Sequence, residues 1–205
     1  MSKSNPVVVL GAGGHAKVVI STLRGAGYEV AAVFDDNAAK HGSEIMGVGI
    51  VGSIMEADSL GYQRGVIAVG ENATRKSISE RVESLEWLTV VHPKAYVDLS
   101  VRLGEGTVVF AGAVLQADTV VGRYAIINTG ATVDHDCVIG DFVHVAPGSH
   151  LAGEVEVGEG AFLGLASGVI PGIRVGAWST VGAGGMVVHD VPARAKVKGV
   201  PARAK

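Results

Sequence analysis

The sequence predicts an α/β domain of half-Rossmann type followed by an all-β tube, a parallel β-helix wound from hexapeptide repeats. Three observations carry this reading. From residue 97 every sixth residue is aliphatic, sixteen times without a miss: Val97, Leu103, Val109, Leu115, Val121, Ile127, Val133, Ile139, Val145, Leu151, Val157, Leu163, Val169, Val175, Val181 and Val187. Residues 1–90 have no such period and alternate apolar runs, glycine turns and helical stretches. The 205-residue chain is 48% hydrophobic yet only 5% aromatic, so its core is made of small aliphatic side chains. Its 30 glycines are about twice the usual share of roughly 7%, which calls for many tight turns.

The elements follow in order. In "NPVVVLGAGGHAKVVISTLRGAGYEVAAVFDD" a strand at Val7–Leu10 leads through a glycine turn into a helix from about His15 to Ala26, a strand at Val30–Phe34 and an acidic turn. "RGVIAVGEN" reads as a further strand ending in another glycine turn, and Ala73–Ser84 as a polar-faced helix. Strand and helix alternating at this spacing imply a small parallel sheet over residues 1–92, linked at His92–Pro93 to a β-helix over residues 93–205. In the β-helix each six-residue unit supplies one short strand and a turn, and three units close a triangular coil of about 18 residues. One inward aliphatic per unit stacks on those above and below, and the residue two before it is small or β-branched, as at Ala95, Val101, Thr107 and Ala113.

Composition excludes several classes. A net charge of −3 gives no general attraction to nucleic acid or acidic lipid. After Asp190, however, the chain carries Arg194, Lys196, Lys198, Arg203 and Lys205 and no acid, a basic tail. A single cysteine, Cys137, leaves no internal disulfide and fits a reducing compartment. The apolar run Val7–Leu10 is too short for a signal peptide, and no stretch approaches the roughly 18 apolar residues of a membrane span. A soluble cytoplasmic protein is expected.

Gly11-Ala12-Gly13-Gly14-His15-Ala16 satisfies a loose G-x-G-x-x-A pattern between strand and helix, with Asp35 and Asp36 closing the second strand. Glycines let backbone N–H groups and a helix N-terminus approach a phosphate, while a carboxylate accepts hydrogen bonds from a ribose or base. About 90 residues make only half of a dinucleotide fold, so a single nucleoside diphosphate fits better than NAD. A plain glycine turn with two solvated acids is the competing explanation. The Gly70-Glu71-Asn72 turn should lie at the same carboxyl edge.

Three histidines punctuate "GATVDHDCVIGDFVHVAPGSH", residues 130–150. In the hexad register His135 falls at a corner and His144 one before an inward position, so both should face outward and neither belongs to the core. One coil above, Gly153 leaves room over the His135 ring, whereas Phe162 covers His144. His135 can act as a general base if an acid orients its ring, with Asp136 and Asp134 as rival partners. The two histidines are half a coil apart, so a site using both should lie between subunits, and a flat-sided β-helix of this kind suits a homotrimer. His144 and His150 are six apart, which does not match the ligand spacing of the zinc β-helix carbonic anhydrases, so no metal is expected.

"GAGGH" at 11–15, "FDD" at 34–36, "VGEN" at 69–72, "DHDCVIGDFVHV" at 134–145, "FLG" at 162–164 and the ending "VKGVPARAK" together resemble one family. It is that of the bacterial nucleotide-sugar acetyltransferases that join a small Rossmann-like domain to a left-handed β-helix, and the resemblance covers nearly the whole chain. Its members include UDP-bacillosamine and GDP-perosamine 4-N-acetyltransferases and a sialic acid O-acetyltransferase group. The resemblance implies a left-handed tube and acetyl-CoA as co-substrate. His135 would be the base, with Asp136 standing where some relatives have Glu. It implies acetyl-CoA contacts at His144, Gly153, Leu165, Ala183, Lys198, Pro201 and Arg203. It implies a nucleotide-linked amino sugar, on UDP or GDP, at Gly13, Gly14, His15, Asp35, Asp36, Gly70 and Asn72. Direct transfer to a sugar 4-amino group is expected; transfer to a sugar hydroxyl, or a non-catalytic nucleotide-sugar scaffold, are the alternatives.

Overall fold

A computed structural model describes residues 6–204; Lys205 of the basic tail lies outside the described residues. The chain divides into two compact units, the first ending at Pro93 and the second beginning at Lys94.

The first unit contains β1 (Val7–Leu10), α1 (Gly14–Gly25), β2 (Val30–Phe34), β3 (Glu44–Ile45), β4 (Val48–Gly52), β5 (Arg64–Ile67), α2 (Asn72–Arg81) and β6 (Glu86–Trp87). All four residues of β1 are buried, as a central strand covered on both faces requires. The six strands run in the order β3-β4-β2-β1-β5-β6, parallel except for the β3–β4 hairpin. Helix α1 buries Ala16, Val19, Ile20 and Leu23, an apolar stripe at helical spacing. From β1 the chain goes first to β2 on one side and later to β5 on the other. The strand order therefore reverses at β1, and in an open parallel sheet ligands bind beyond the carboxyl ends of the strands at such a point.

Two details depart from the sequence reading. The β3–β4 hairpin was not foreseen; Met46 and Gly47, at φ 51° and 72°, make its two-residue turn, and strands this short show no legible alternation. Helix α2 stops at Arg81 rather than Ser84 because Val82 turns extended, φ −101° and ψ 104°, and is fully buried.

The second unit is a left-handed parallel β-helix. Two-residue strands pair with a register of 18 on each of three faces: Ile126 with His144 and then Phe162, Thr132 with His150, and Val138 with Glu156. Two positions per hexad are buried, not one. Besides the aliphatic column, the residue two before it points inward, including Ala113, Ala125, Ala131, Cys137, Val155 and Ala161, all at 0% exposure. Three polar residues at that position donate to a backbone carbonyl of the next coil: Thr107 Oγ1 to Gly122 O (2.7 Å), Thr119 Oγ1 to Asp134 O (2.8 Å) and Ser149 Oγ to Gly164 O (2.8 Å). Ser167 Oγ reaches Ser149 Oγ at 3.3 Å instead, and Ser179 Oγ is buried without a hydrogen-bond partner.

The corners are equally regular. From Leu103 to Val181 the third residue after each inward aliphatic takes the left-handed conformation, so three columns of positive φ run along the prism. One column is aromatic, with Tyr124 and Phe142 stacked at 5.0 Å and Trp178 folded over Gly160. A second is mostly glycine: Gly112, Gly130, Gly148, Ala166 and Gly184. A third is acidic, Asp118, Asp136 and Glu154, before Gly172. The period ends after Val187: Thr180 pairs with Lys196, a register of 16, and Arg203–Ala204 folds back antiparallel on Lys196–Lys198 to close the tube. Among the described residues no helix is long and apolar enough to cross a membrane.

Candidate functional site

The acidic corner builds the first half of the site. His135 immediately precedes the positive-φ residue Asp136 (φ 57°), so the chain turns there and both side chains leave the tube. His135 Nδ1 lies 2.8 Å from Asp136 Oδ2. Asp134, the rival partner, instead accepts the backbone N–H of His135 through Oδ1 at 2.9 Å. The Asp136 bond, followed by the charges of Asp134, Asp136 and Glu154, holds the imidazole above its ordinary pKa. A carboxylate on Nδ1 fixes the tautomer that leaves Nε2 with its lone pair, the arrangement a general base needs. Gly153, one coil above, forms the back of the ring: a Cβ there would sit 2.6 Å from His135 Cε1 and 2.7 Å from Nε2. The space over the ring expected from the sequence is therefore filled by the ring itself. On the face leading to this corner, Val114, Gln116, Thr132, Val133 and Asp134 line a shallow cavity of about 200 Å³, and Thr132 Oγ1 lies 2.9 Å from His150 Nδ1.

His144 corrects an expectation. It occupies the outward position beside inward Val145, yet it is only 8% exposed, with the Phe162 ring edge-on at 5.3 Å. Its Nε2 lies 3.0 Å from Asn128 Nδ2. Because Asn128 Oδ1 accepts the Thr129 N–H at 2.8 Å, the amide NH2 faces the ring, so Nε2 accepts and the ring proton sits on Nδ1. Asn128 was missed from the sequence; its signal is an amide one residue past inward Ile127, where the neighbouring coils carry Phe110, Ala146 and Gly164.

The remaining acetyl-CoA candidates gather elsewhere. Leu165, 55% exposed, lies one coil below exposed Ala183. Gly182, beside Ala183, packs against Lys198, whose Cβ would be 3.0 Å from a side chain there. Lys198 pairs with Arg203 across the closing hairpin, whose turn holds Pro201. Within one chain, then, His135, Asp136 and Gly153 share one corner, while Leu165, Ala183, Lys198, Pro201 and Arg203 share another. Cys137 is fully buried and donates to Ala152 O at 3.2 Å, in the manner of Thr119 and Ser149, and burial pushes its thiol up. It is poorly placed as a nucleophile.

In the first unit the glycine turn lies at the strand-order reversal. Gly11 takes φ 108°, and a Cβ there would be 2.8 Å from Val69 Cγ2 and 3.0 Å from Ala68 O, so the turns after β1 and β5 press together. Gly13 and Gly14, at the start of α1, have nothing within 4 Å of a built Cβ and are open to a ligand. His15 is mostly buried, and burial with the Arg75 charge pushes its imidazole down to about 4. The two aspartates are already engaged. Asp35 Oδ2 accepts the Ala12 N–H (2.7 Å) and pairs with Lys40 Nζ (3.0 Å), and Oδ1 accepts the Asn37 N–H (3.0 Å). Burial pushes the Asp35 pKa up, but these amides and the Lys40 ammonium outweigh it and hold the carboxyl below its usual value. Asp36 Oδ1 accepts the Ile54 N–H at 3.0 Å. Asn72 is 7% exposed, and its Oδ1 accepts from Arg75 Nη2 at 2.9 Å, while Gly70 O accepts from Arg75 Nη1 at 3.2 Å. Lys40 and Arg75 were not singled out from the sequence. Among the described residues no group of three His, Cys, Asp or Glu side chains is placed to hold a metal.

A family model described as the PglD N-terminal domain matches residues 6–82. PerB from Caulobacter crescentus, solved with CoA and GDP-perosamine, is 45% identical with a TM-score of 0.93, over 98% of this chain and 98% of that chain. The acetyltransferase domain of PglB from Neisseria gonorrhoeae, solved with acetyl coenzyme A, is 35% identical with a TM-score of 0.93, over 98% of this chain and 99% of that one. UDP-N-acetylbacillosamine N-acetyltransferase of Bacillus subtilis is 41% identical over 110 residues, which cover 51% of this chain. The match spans 51% of the length of that curated relative and 23% of the length of a second.

Proposed function

Because this chain belongs to the family of nucleotide-sugar acetyltransferases that join a Rossmann-like domain to a left-handed β-helix, we propose that it is an acetyl-CoA-dependent N-acetyltransferase. Its acceptor is the 4-amino group of a nucleotide-linked 4-amino-4,6-dideoxyhexose. The observation that carries the reading is the His135 imidazole, backed by Gly153 and held by Asp136 at 2.8 Å. The relatives solved with CoA and GDP-perosamine, or with acetyl coenzyme A, support the choice of donor and acceptor class.

The sugar amine attacks the thioester carbonyl while His135 Nε2 takes its proton. The tetrahedral intermediate then expels CoA as a thiolate, which takes up a proton, and the products are the acetamido sugar and free CoA. No acyl-enzyme is needed, in keeping with the burial of Cys137. Most of the acceleration comes from holding amine and thioester together, and the base adds about 10²–10⁴-fold. Since the base and Gly153 occupy one corner of the chain and the CoA candidates Leu165, Ala183, Lys198, Pro201 and Arg203 another, the reading includes a homotrimer in which one copy supplies His135 and its neighbour supplies Leu165, Ala183 and the basic tail. The nucleoside diphosphate, UDP or GDP, is assigned to the Gly13–Gly14 turn. A single reduced thiol suits a cytoplasmic setting.

The test is CoA release, followed with a thiol-reactive dye, over a panel of UDP-, GDP- and dTDP-linked 4-amino-4,6-dideoxy sugars and their hydroxyl counterparts. Rapid release with one amino sugar is expected, with His135→Ala lowering kcat about 10²–10⁴-fold and both KM values little changed. Near wild-type turnover in His135→Ala removes it as the base; release only with hydroxyl sugars moves the protein to O-acetylation.

A further inference from the structure

Arg75 is a guanidinium at 1% exposure in α2, and nothing in the acetyl-transfer step uses it. Burying such a charge costs free energy unless opposite charge or well-aligned dipoles answer it. Its bonds run to Val69 O (3.1 Å), Gly70 O (3.2 Å) and Asn72 Oδ1 (2.9 Å), so one side chain ties the whole turn after β5. The carboxylate that faces it, Glu71, already accepts the Ala73 and Thr74 N–H groups as the N-cap of α2. The tied turn is the one that presses on Gly11, and the Arg75 charge is felt at His15, in the first turn of α1. A helix N-terminus and a buried cation thus converge where Gly13 and Gly14 lie open.

We infer that Arg75 is a positioning residue for the nucleotide end of the substrate, holding the Val69–Asn72 turn and adding positive potential where the diphosphate sits. The inference rests on the reading of the first unit as the nucleotide-sugar site. It explains why a charge is kept out of water at this edge: the ligand's phosphates add negative charge to the backbone dipoles, the Asn72 amide and the Glu71 carboxylate that face it in the free protein. Arg75 touches no reacting atom, so its loss acts on binding and not on the chemical step.

The experiment measures affinity for UDP and GDP by calorimetry in the intact protein, in Arg75→Gln and in Arg75→Lys, with kcat, both KM values and far-UV circular dichroism alongside. Arg75→Gln is expected to weaken nucleoside diphosphate binding and raise the nucleotide-sugar KM tenfold or more, about 1.4 kcal/mol. Its kcat and acetyl-CoA KM stay within twofold of wild type. Arg75→Lys, which keeps the charge, retains affinity within about threefold. Arg75→Gln binding within twofold of wild type overturns the inference, and so does a tenfold loss in a folded Arg75→Lys, which also decides the matter if the glutamine variant does not fold. If wild type itself binds neither UDP nor GDP, the nucleotide-site reading fails first.

Discussion

Gly153→Ala puts one methyl group against the proposed base. The backbone at Gly153 is not in the left-handed region, so alanine fits the chain, and the burden falls on the ring. The new Cβ would lie 2.6 Å from His135 Cε1, 2.7 Å from Nε2 and 3.2 Å from Nδ1. Restoring an ordinary contact of about 3.5 Å moves the ring outward by roughly 0.9 Å. His135 is more than half exposed, so it can move without disturbing the fold. The 2.8 Å bond to Asp136 then stretches past hydrogen-bonding distance. A displacement of about 1 Å in a catalytic group costs on the order of 10²-fold, so kcat should fall about a hundredfold with both KM values little changed. The pH profile supplies a second signature. The Asp136 bond raises the His135 pKa, and the base must be neutral, so wild-type kcat rises with pH through that raised value. Losing the bond lowers the pKa and moves this limb toward acid. A Gly153→Ala enzyme with kcat within threefold of wild type and an unmoved limb refutes the argument.

Two further outcomes are expected. Cys137→Ser should keep full activity and lose little stability, because a hydroxyl at that inward position can donate to Ala152 O as Thr119 and Ser149 donate to their carbonyls; complete inactivation of a folded serine variant would restore the cysteine as a candidate nucleophile. Asp35→Asn should lower the urea midpoint at pH 7 and flatten its decline in acid. The folded carboxyl lies below its unfolded value of 3.8, so its contribution is complete above that value and fades as pH falls through the lower folded one. An unchanged midpoint at pH 7 rejects the clamp on the glycine turn.

The tube was legible because one physical constraint, an inward side chain stacked on its copy one coil away, recurs with every hexad and leaves a period that survives any single substitution. The second inward column was legible only in part: Thr107, Cys137 and Ser149 look polar until their carbonyl partners on the next coil are known. His135 with Asp136 could be read as a pair, but the choice against Asp134 depended on the positive φ at Asp136, which no spacing states. The hexad register places His144 outward with Phe162 one coil above it, but not its near burial, because the bond to the Asn128 amide is a tertiary fact that the 18-residue step does not state. Arg75 and Lys40 escaped notice for a related reason. A lone cation in a polar helix or loop reads as solvated surface until the turn it ties is seen.

The columns of left-handed corners limit how this chain can change in length. Adding one residue to a coil would carry residues such as Thr129 or Pro147 into the left-handed corners now held by Gly130 and Gly148, conformations that a β-branched residue or proline resists, and would turn both inward columns out. Adding or removing a full 18-residue coil shifts no residue relative to its neighbours in register, since Ile126 meets His144 and His144 meets Phe162 by the same step. Gene rearrangement in such a tube should therefore proceed by whole coils. Smaller edits find room where the stack ends, and the register of 16 between Thr180 and Lys196 marks one such place.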